Sequence, residues 1–316
     1  MMQADWELHL KHKIESKPEL QTWANHLEIR LPELREIARL AGFKKTDRIL
    51  EIGCGNAIGA AYFAGTVSEV IASDLPDVDH AAHSIGLEKA RKLLDTVGAK
   101  NTSVVGCSAE ELPFADNSFD GVFALFSLEH IPNREKALAE TLRVLKPGGA
   151  FVAAVPATAW GLTLPTVFYP EFGKRVLRRA LNRIRKAPAR SSGAARSDHQ
   201  VDGHATAPIV KDWASFHRVY PHFPLLPPHG EYSSYFHELW SQRPSQWEAL
   251  FRKAGFSNLE VHALSVIPRG LLGTFLGKTG LRLYGRLSEA DRKLRATALG
   301  RIGAQFVCVI GEKGRK

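Results

Sequence analysis

RILEIGCGNAIGAAYFA, residues 48–64, runs a short apolar strand into a glycine-rich turn and then into small residues at helical spacing. A turn of this kind brings backbone close to a partner, because glycine has no side chain to hold it off. The neighbours repeat the rhythm. EVIASD (69–74) reads as a strand, HSIGLEKARKLLDTVGA (83–99) as a helix, TSVVGCS (102–108) and FDGVFALFSL (119–128) as strands. NREKALAETLRVLKPGG (133–149) is an amphipathic helix with a proline–glycine stop, and AFVAAVP (150–156) is a fifth strand. Apolar strands alternating with helices imply an α/β fold, a parallel sheet covered on both faces.

Outside that run the pattern changes. Residues 1–42 read as a helical cap, with Leu34, Ile37, Ala38 and Ala41 at three- and four-residue spacings and Gly42 as its stop. The α/β core then spans 43–156. After Pro156 the rhythm breaks, and 157–244 reads as a basic, aromatic and partly mobile insert. Residues 245–316 complete the core with the helix SQWEALFRKAGF and the strands NLEVHALSVIP and AQFVCVIGEK, between which 269–304 forms a second, helical insert.

The chain has 316 residues, 42 Lys and Arg, 33 Asp and Glu, and a net charge of +9. The excess is local: residues 172–197 hold nine basic side chains and no acid, which leaves the rest of the chain balanced. Three cysteines, Cys54, Cys107 and Cys308, lie far apart and lack metal-site spacing, so reduced thiols and no metal are expected. The charged N-terminus is unlike a secretory signal, and no long apolar run suggests a membrane span, so a cytoplasmic chain is expected.

The glycine turn alone is weak. Gly53-Cys54-Gly55 lacks the third glycine of a dinucleotide fingerprint, and no Gly-Lys-Ser/Thr follows for a phosphate loop. A tight turn in an ordinary α/β domain is the competing reading. Asp74 strengthens the ligand reading, since a carboxylate ending the second strand suits ribose hydroxyls. CSAEELPFADNSFDGVFALFSLEHIPN (107–133) and RVLKPGGAF (143–151) follow in order. Together these motifs resemble the class I S-adenosylmethionine-dependent methyltransferases, in the branch that methylates small molecules. The resemblance covers 44–156, and more weakly 245–268 and 305–313.

That resemblance implies a Rossmann-like, doubly wound seven-stranded sheet whose last strand is antiparallel and lies beside the fifth, with a large insert after strand five. It implies S-adenosylmethionine as cofactor. Glu51, Gly53 and Gly55 match the motif whose backbone passes under the methionine part. Asp74 matches the ribose-binding acid and Leu75 the residue that packs on adenine. Ser108, Ala109 and Glu110 match the adenine edge, and Phe126 and Ser127 the end of strand four beside the methionine moiety. Two departures stand out. Ala57 occupies a position where the family often has glycine, though Gly59 would help close packing. Ser108 replaces the usual aspartate, so a hydroxyl takes the place of a charged acceptor.

For the acceptor, base methylation is disfavoured. The Asn/Asp-Pro-Pro-Tyr/Phe motif is missing after strand four, and no cysteine follows a proline. Transfer from a sulfonium needs alignment, water exclusion and, for a hydroxyl, a base. His130, just past strand four, is one candidate base. PPHGEYSSYFHELW (227–240) offers His229, Glu231 and His237, and His204 and His217 are weaker candidates. Each is equally readable as loop packing or a solvated side chain. The expected reaction is methylation of a small-molecule or lipid-linked acceptor, at oxygen. The alternatives are a peripheral membrane or assembly protein that keeps the fold without catalysis, and a protein or RNA methyltransferase. Residues 172–186 form a basic amphipathic pattern suited to a membrane surface, or else a core-packed helix with a solvated face. RGLLGTFLGKTGLRLYGRL in the second insert is apolar and basic as well.

Overall fold

The structure is a computed structural model that describes residues 3–17, 20–76, 86–165 and 230–315. The segment 172–186 and the candidates His204, His217 and His229 lie outside the described residues.

The sheet has seven strands: β1 (Arg48–Ile52), β2 (Glu69–Asp74), β3 (Thr102–Gly106), β4 (Phe119–Leu125), β5 (Leu145–Pro156), β6 (Ser257–Ser265) and β7 (Phe306–Glu312). Their order is β3-β2-β1-β4-β5-β7-β6. β1 to β5 pair in parallel, and β7 runs antiparallel between β5 and β6. The expected doubly wound sheet with an antiparallel last strand is therefore present.

Strand residues alternate between two cores, as the period of two requires. Ile49, Phe123, Val152 and Ala154 face one side, under the helices α1 (Gln3–Glu15), α2 (Gln21–Ala41), α3 (Ile58–Phe63) and α4 (Leu87–Val97). Leu50, Val122, Phe151 and Val155 face the other, where Leu138 of α5 (Arg134–Val144) packs. On that second face also lie α6 (Tyr235–Ser241) and α7 (Pro244–Ala254), the latter bringing Trp247 and Phe251 into the core. Phe151 and Phe251 stack at 5.2 Å. The second insert is a long helix, α8 (Arg269–Arg295), followed by the short α9 (Ala298–Ile302).

Two boundaries differ from the sequence reading. The N-terminal helical region is two helices, broken where Pro18 disfavours helical backbone at the residue before it. The helix read through Gly149 ends at Val144, and Leu145 already pairs with Phe119 of β4. Gly148, at φ 80°, sits at the irregular start of β5, where a left-handed residue bends the strand. Gly42 closes α2 in the left-handed conformation, its N–H bonded to the Ala38 carbonyl.

Candidate active site

The residues singled out in sequence meet at the carboxyl ends of β1, β2 and β4. The loop after β1 is built from left-handed backbone: Gly53 (φ 67°), Gly55 (φ 56°) and Ala57 (φ 57°). Gly53 has a second constraint, because a Cβ there would lie 2.4 Å from the Cβ of Ser127. Ser127 crosses over the loop and donates to the Ile52 carbonyl at 2.7 Å. Ala57 holds the conformation that the missing third glycine would take without strain. It is the N-cap of α3 and is fully buried.

Glu51 has a structural place. Its side chain is buried, and one oxygen accepts from the Ala60 N–H at 2.9 Å, which satisfies a free donor in the first turn of α3. The other oxygen faces Gly59, where a Cβ would come within 2.3 Å of it. Gly59 thus supplies the close packing that its position suggested. Burial, with Asp74 adding repulsion, pushes the Glu51 carboxyl up to about 8.

Asp74 ends β2 with its carboxylate turned into the loop. One oxygen accepts from the Gly55 N–H at 2.7 Å and the other from the Leu75 N–H at 2.8 Å. Each oxygen keeps a lone pair for a further donor. Leu75 is 46% exposed beside it, a large apolar surface for a flat partner. The Ser108 hydroxyl oxygen accepts from the Glu110 N–H at 3.1 Å, and the Glu110 carboxylate accepts from the Asn133 N–H at 3.0 Å. Ala109 is half-buried between them. A ribose-type diol, a flat ring and a chain lying over Gly53–Gly55 fit this set of donors and surfaces.

Past β4 the backbone is strained again. Phe126 has φ 55°, its ring meets Phe306 edge-on at 4.9 Å, and the Arg30 guanidinium lies 3.9 Å above it. Arg30 keeps 37% of its side-chain surface accessible, yet desolvation pulls it down to about 10. Arg30 also pairs with the buried Glu33 at 3.0 Å. Next to it is a residue the sequence reading passed over. Glu129 is buried in the short 3-10 turn Leu128–His130, and among the described residues its Oε2 has no hydrogen-bond partner. Burial pushes its carboxyl up to about 7, against the pull of Arg30 and Arg134. His130 places Nε2 4.0 Å from Glu129 Oε1. The signal for Glu129 was an acid between Leu128 and Ile131, directly after a core strand.

The insert returns to this spot. The Glu231 N–H donates to the Glu129 carbonyl at 3.0 Å. Arg134 donates to the carbonyls of Leu128, Glu129 and Glu231, and stacks over the Tyr232 ring. Candidates His130 and Glu231 are therefore neighbours. His237 lies further off, bonded to Ser233 at 2.9 Å. Among the described residues no group of His, Cys, Asp and Glu is arranged to hold a metal.

Residues 50–153 match the family described as a methyltransferase domain. The chain is 38% identical over 109 residues to a ubiquinone/menaquinone biosynthesis C-methyltransferase of Haemophilus ducreyi, covering 34% of this chain and 41% of that protein. It is 32% identical over 146 residues to the enzyme of the same description from Klebsiella pneumoniae subsp. pneumoniae, covering 46% and 57%. The chain thus spans about half the length of these relatives. The fold is similar to that of the [4+2]-cyclase SpnF, with a TM-score of 0.50 and 17% identity, over 91% of this chain and 82% of that one.

Proposed function

Because residues 50–153 belong to the class I S-adenosylmethionine-dependent methyltransferases, we propose that the chain transfers a methyl group to a small acceptor bearing an acidic hydroxyl, bound between Phe126, Arg30 and Glu129. The observation that carries this reading is the buried, unpaired carboxylate oxygen of Glu129 in the turn that follows β4. Bound there, S-adenosylmethionine supplies an electrophilic methyl on sulfur.

The chain's own residues do the rest. Asp74 holds the ribose hydroxyls, Leu75 and Ala109 sandwich the adenine ring, and Ser108 accepts from its amino group. Gly53, Gly55 and Ser127 shape the floor for the methionine part. Phe126 and Tyr232 offer aromatic walls, and Arg30 stabilises an anionic oxygen on the acceptor. Glu129 takes the acceptor's proton on Oε2. A carboxyl near 7 is suited to accept a proton at neutral pH and to release it afterwards. His130 passes that proton towards solvent, since nearly half of its side chain is exposed. Glu231 lies beside this turn, its N–H bonded to the Glu129 carbonyl.

A deprotonated phenol is nucleophilic at oxygen and at its ring carbon. Oxygen is the simpler acceptor. Carbon is the second reading, favoured by the relatives from Haemophilus ducreyi and Klebsiella pneumoniae, which are described as C-methyltransferases. Incubation with methyl-labelled cofactor and a panel of phenols, followed by NMR of the product, separates the two. Glu129→Gln is expected to lower kcat by about 10²–10⁴-fold and leave cofactor affinity by calorimetry unchanged. No binding heat at millimolar S-adenosylmethionine would overturn the reading, and so would a Glu129→Gln variant as active as the parent.

A further inference from the structure

On the far side of the sheet from β3, between α2, the edge strand β6 and the end of α8, lies an open cleft of about 670 Å³. Arg39, Arg292, Arg295, Arg301 and His262 line it, against a single lining acid, Glu36. Several of these groups have partners. Arg39 bonds Glu36 at 2.7 Å, Arg292 bonds Glu289 at 2.7 Å, Arg295 meets Asp291 at 3.3 Å and His262 meets Glu260 at 2.7 Å. Glu289, Asp291 and Glu260 hold these groups from outside the lining, so the uncompensated charge of the wall lies on Arg301. Arg301 has no ion pair among the described residues. Planar guanidinium groups match the oxygens of a phosphate, each able to donate twice.

A second feature sits against the same cleft. α9 carries Arg301 and exposes Leu299 at 77% and Ile302 at 80%. Three residues apart, these two side chains share one face of the helix. Leu294, at the end of α8, adds a third apolar side chain to the exposed set. Exposed leucine and isoleucine beside an arginine-walled cleft have no use in a core. They form the two halves of an interfacial contact: apolar side chains that enter the acyl boundary, and cations that hold the phosphate above it.

We propose that this surface docks the protein on a membrane, with a phosphate of an anionic phospholipid headgroup in the arginine cleft and Leu299 and Ile302 inserted beside it. No described helix is long and apolar enough to cross a bilayer, so the contact is peripheral. Arg30 and Arg39 both lie on α2, nine residues apart, which is about 14 Å along a helix. Nine residues are also about two and a half turns, so the cleft and Arg30 lie on opposite faces of α2. The contact does not depend on which acceptor is methylated.

The test is sedimentation of the full chain with vesicles of phosphatidylcholine alone, and with vesicles that also contain phosphatidylglycerol. The parent is expected to sediment with the anionic vesicles, to stay in the supernatant with the neutral ones, and to be released as salt is raised. Arg301→Glu should lower the partition about fivefold or more, because each basic residue near the surface is worth about that factor. The double variant Leu299→Gln, Ile302→Gln should lower it at least tenfold, since two apolar side chains lose their burial. Both variants change exposed side chains and should bind S-adenosylmethionine as the parent does, which shows that they are folded. A parent that remains in the supernatant with anionic vesicles overturns the proposal. So do variants that sediment like the parent, which would place the contact on another basic segment. Calorimetric binding of inorganic phosphate without vesicle binding would also overturn it, and would make the cleft a site for a soluble anion.

Discussion

Single residues in the loop after β1 carry opposing demands that can be measured apart. At Gly53, a methyl group would meet two costs: left-handed backbone, about 1–2 kcal/mol, and overpacking against Ser127, about 1–3 kcal/mol. Gly53→Ala is therefore expected to destabilise the protein by about 2–5 kcal/mol in urea unfolding, and to abolish cofactor binding in whatever remains folded. A stable variant with normal affinity would mean that Ser127 has room to withdraw. Glu51 makes a pH-dependent demand. Its carboxyl is near 4.3 in the unfolded chain and about 8 when folded, because burial favours the neutral form. A group raised in this way gives its full stability below about pH 4.3 and loses it as the pH rises through about 8. Over that window the parent should lose up to about 1.4 kcal/mol per pH unit from this group. Glu51→Gln keeps an oxygen for the Ala60 N–H but cannot ionise. Its stability should therefore fall less steeply than the parent's between about pH 5 and 8, and parallel curves would show that Glu51 does not titrate there.

At the scale of elements, the junction between the 3-10 turn and the returning insert depends on one fork of donors. Arg134 serves three carbonyls, two on the turn and one on Glu231, and covers Tyr232. Lysine keeps the charge but not the planar geometry. Arg134→Lys should leave at least one carbonyl without a donor and cost about 1–3 kcal/mol. Hydrogen exchange at 230–232 should rise first, and exchange in β4 should stay as it is. The same junction shows where sequence reading works and where it stops. The strands were legible because strands buried on both faces are continuous apolar runs, as in Val122–Leu125 and Phe151–Val155. The start of β5 was not, because Lys146-Pro147-Gly148 carries the signals of a helix stop, and the strand tolerates them through an irregular first stretch. The loop residues Gly53, Gly55 and Asp74 were legible from spacing along one unit. Arg30 was not: it reaches Phe126 from a helix 96 positions earlier, and no local pattern announces that contact. Glu129 was overlooked in favour of its neighbour His130, since a carboxyl becomes a proton acceptor near neutrality only after burial has raised it.

At the scale of the whole molecule, the N-terminal helices are part of the core. Trp6 of α1 packs against Gly65, where a Cβ would lie 2.2 Å from its ring, and donates its indole N–H to the Ala61 carbonyl at 2.9 Å. Leu10 and Ile14 are buried in the same cluster, and the Arg35 guanidinium of α2 pairs with Glu7. Trp6→Ala removes a large buried ring and should cost about 3–5 kcal/mol, read as a fall in the urea midpoint with no change in the slope. A loss below 1 kcal/mol would mean that α1 is only loosely attached.

The position of β7 has a consequence for how the protein comes into being. The strand occupies the interior of the sheet, hydrogen-bonded along both sides, to β5 and to β6. It is also the last strand to leave the ribosome. During synthesis β5 and β6 are both available before the strand that joins them exists, and each presents a row of open backbone donors and acceptors. The sheet closes only when residues 306–312 arrive, so the nascent chain must wait with its centre unfilled, and a chain that stops before them can never fill it. Stop codons or proteolytic clips within 306–312 should therefore produce chains that associate through the exposed edges.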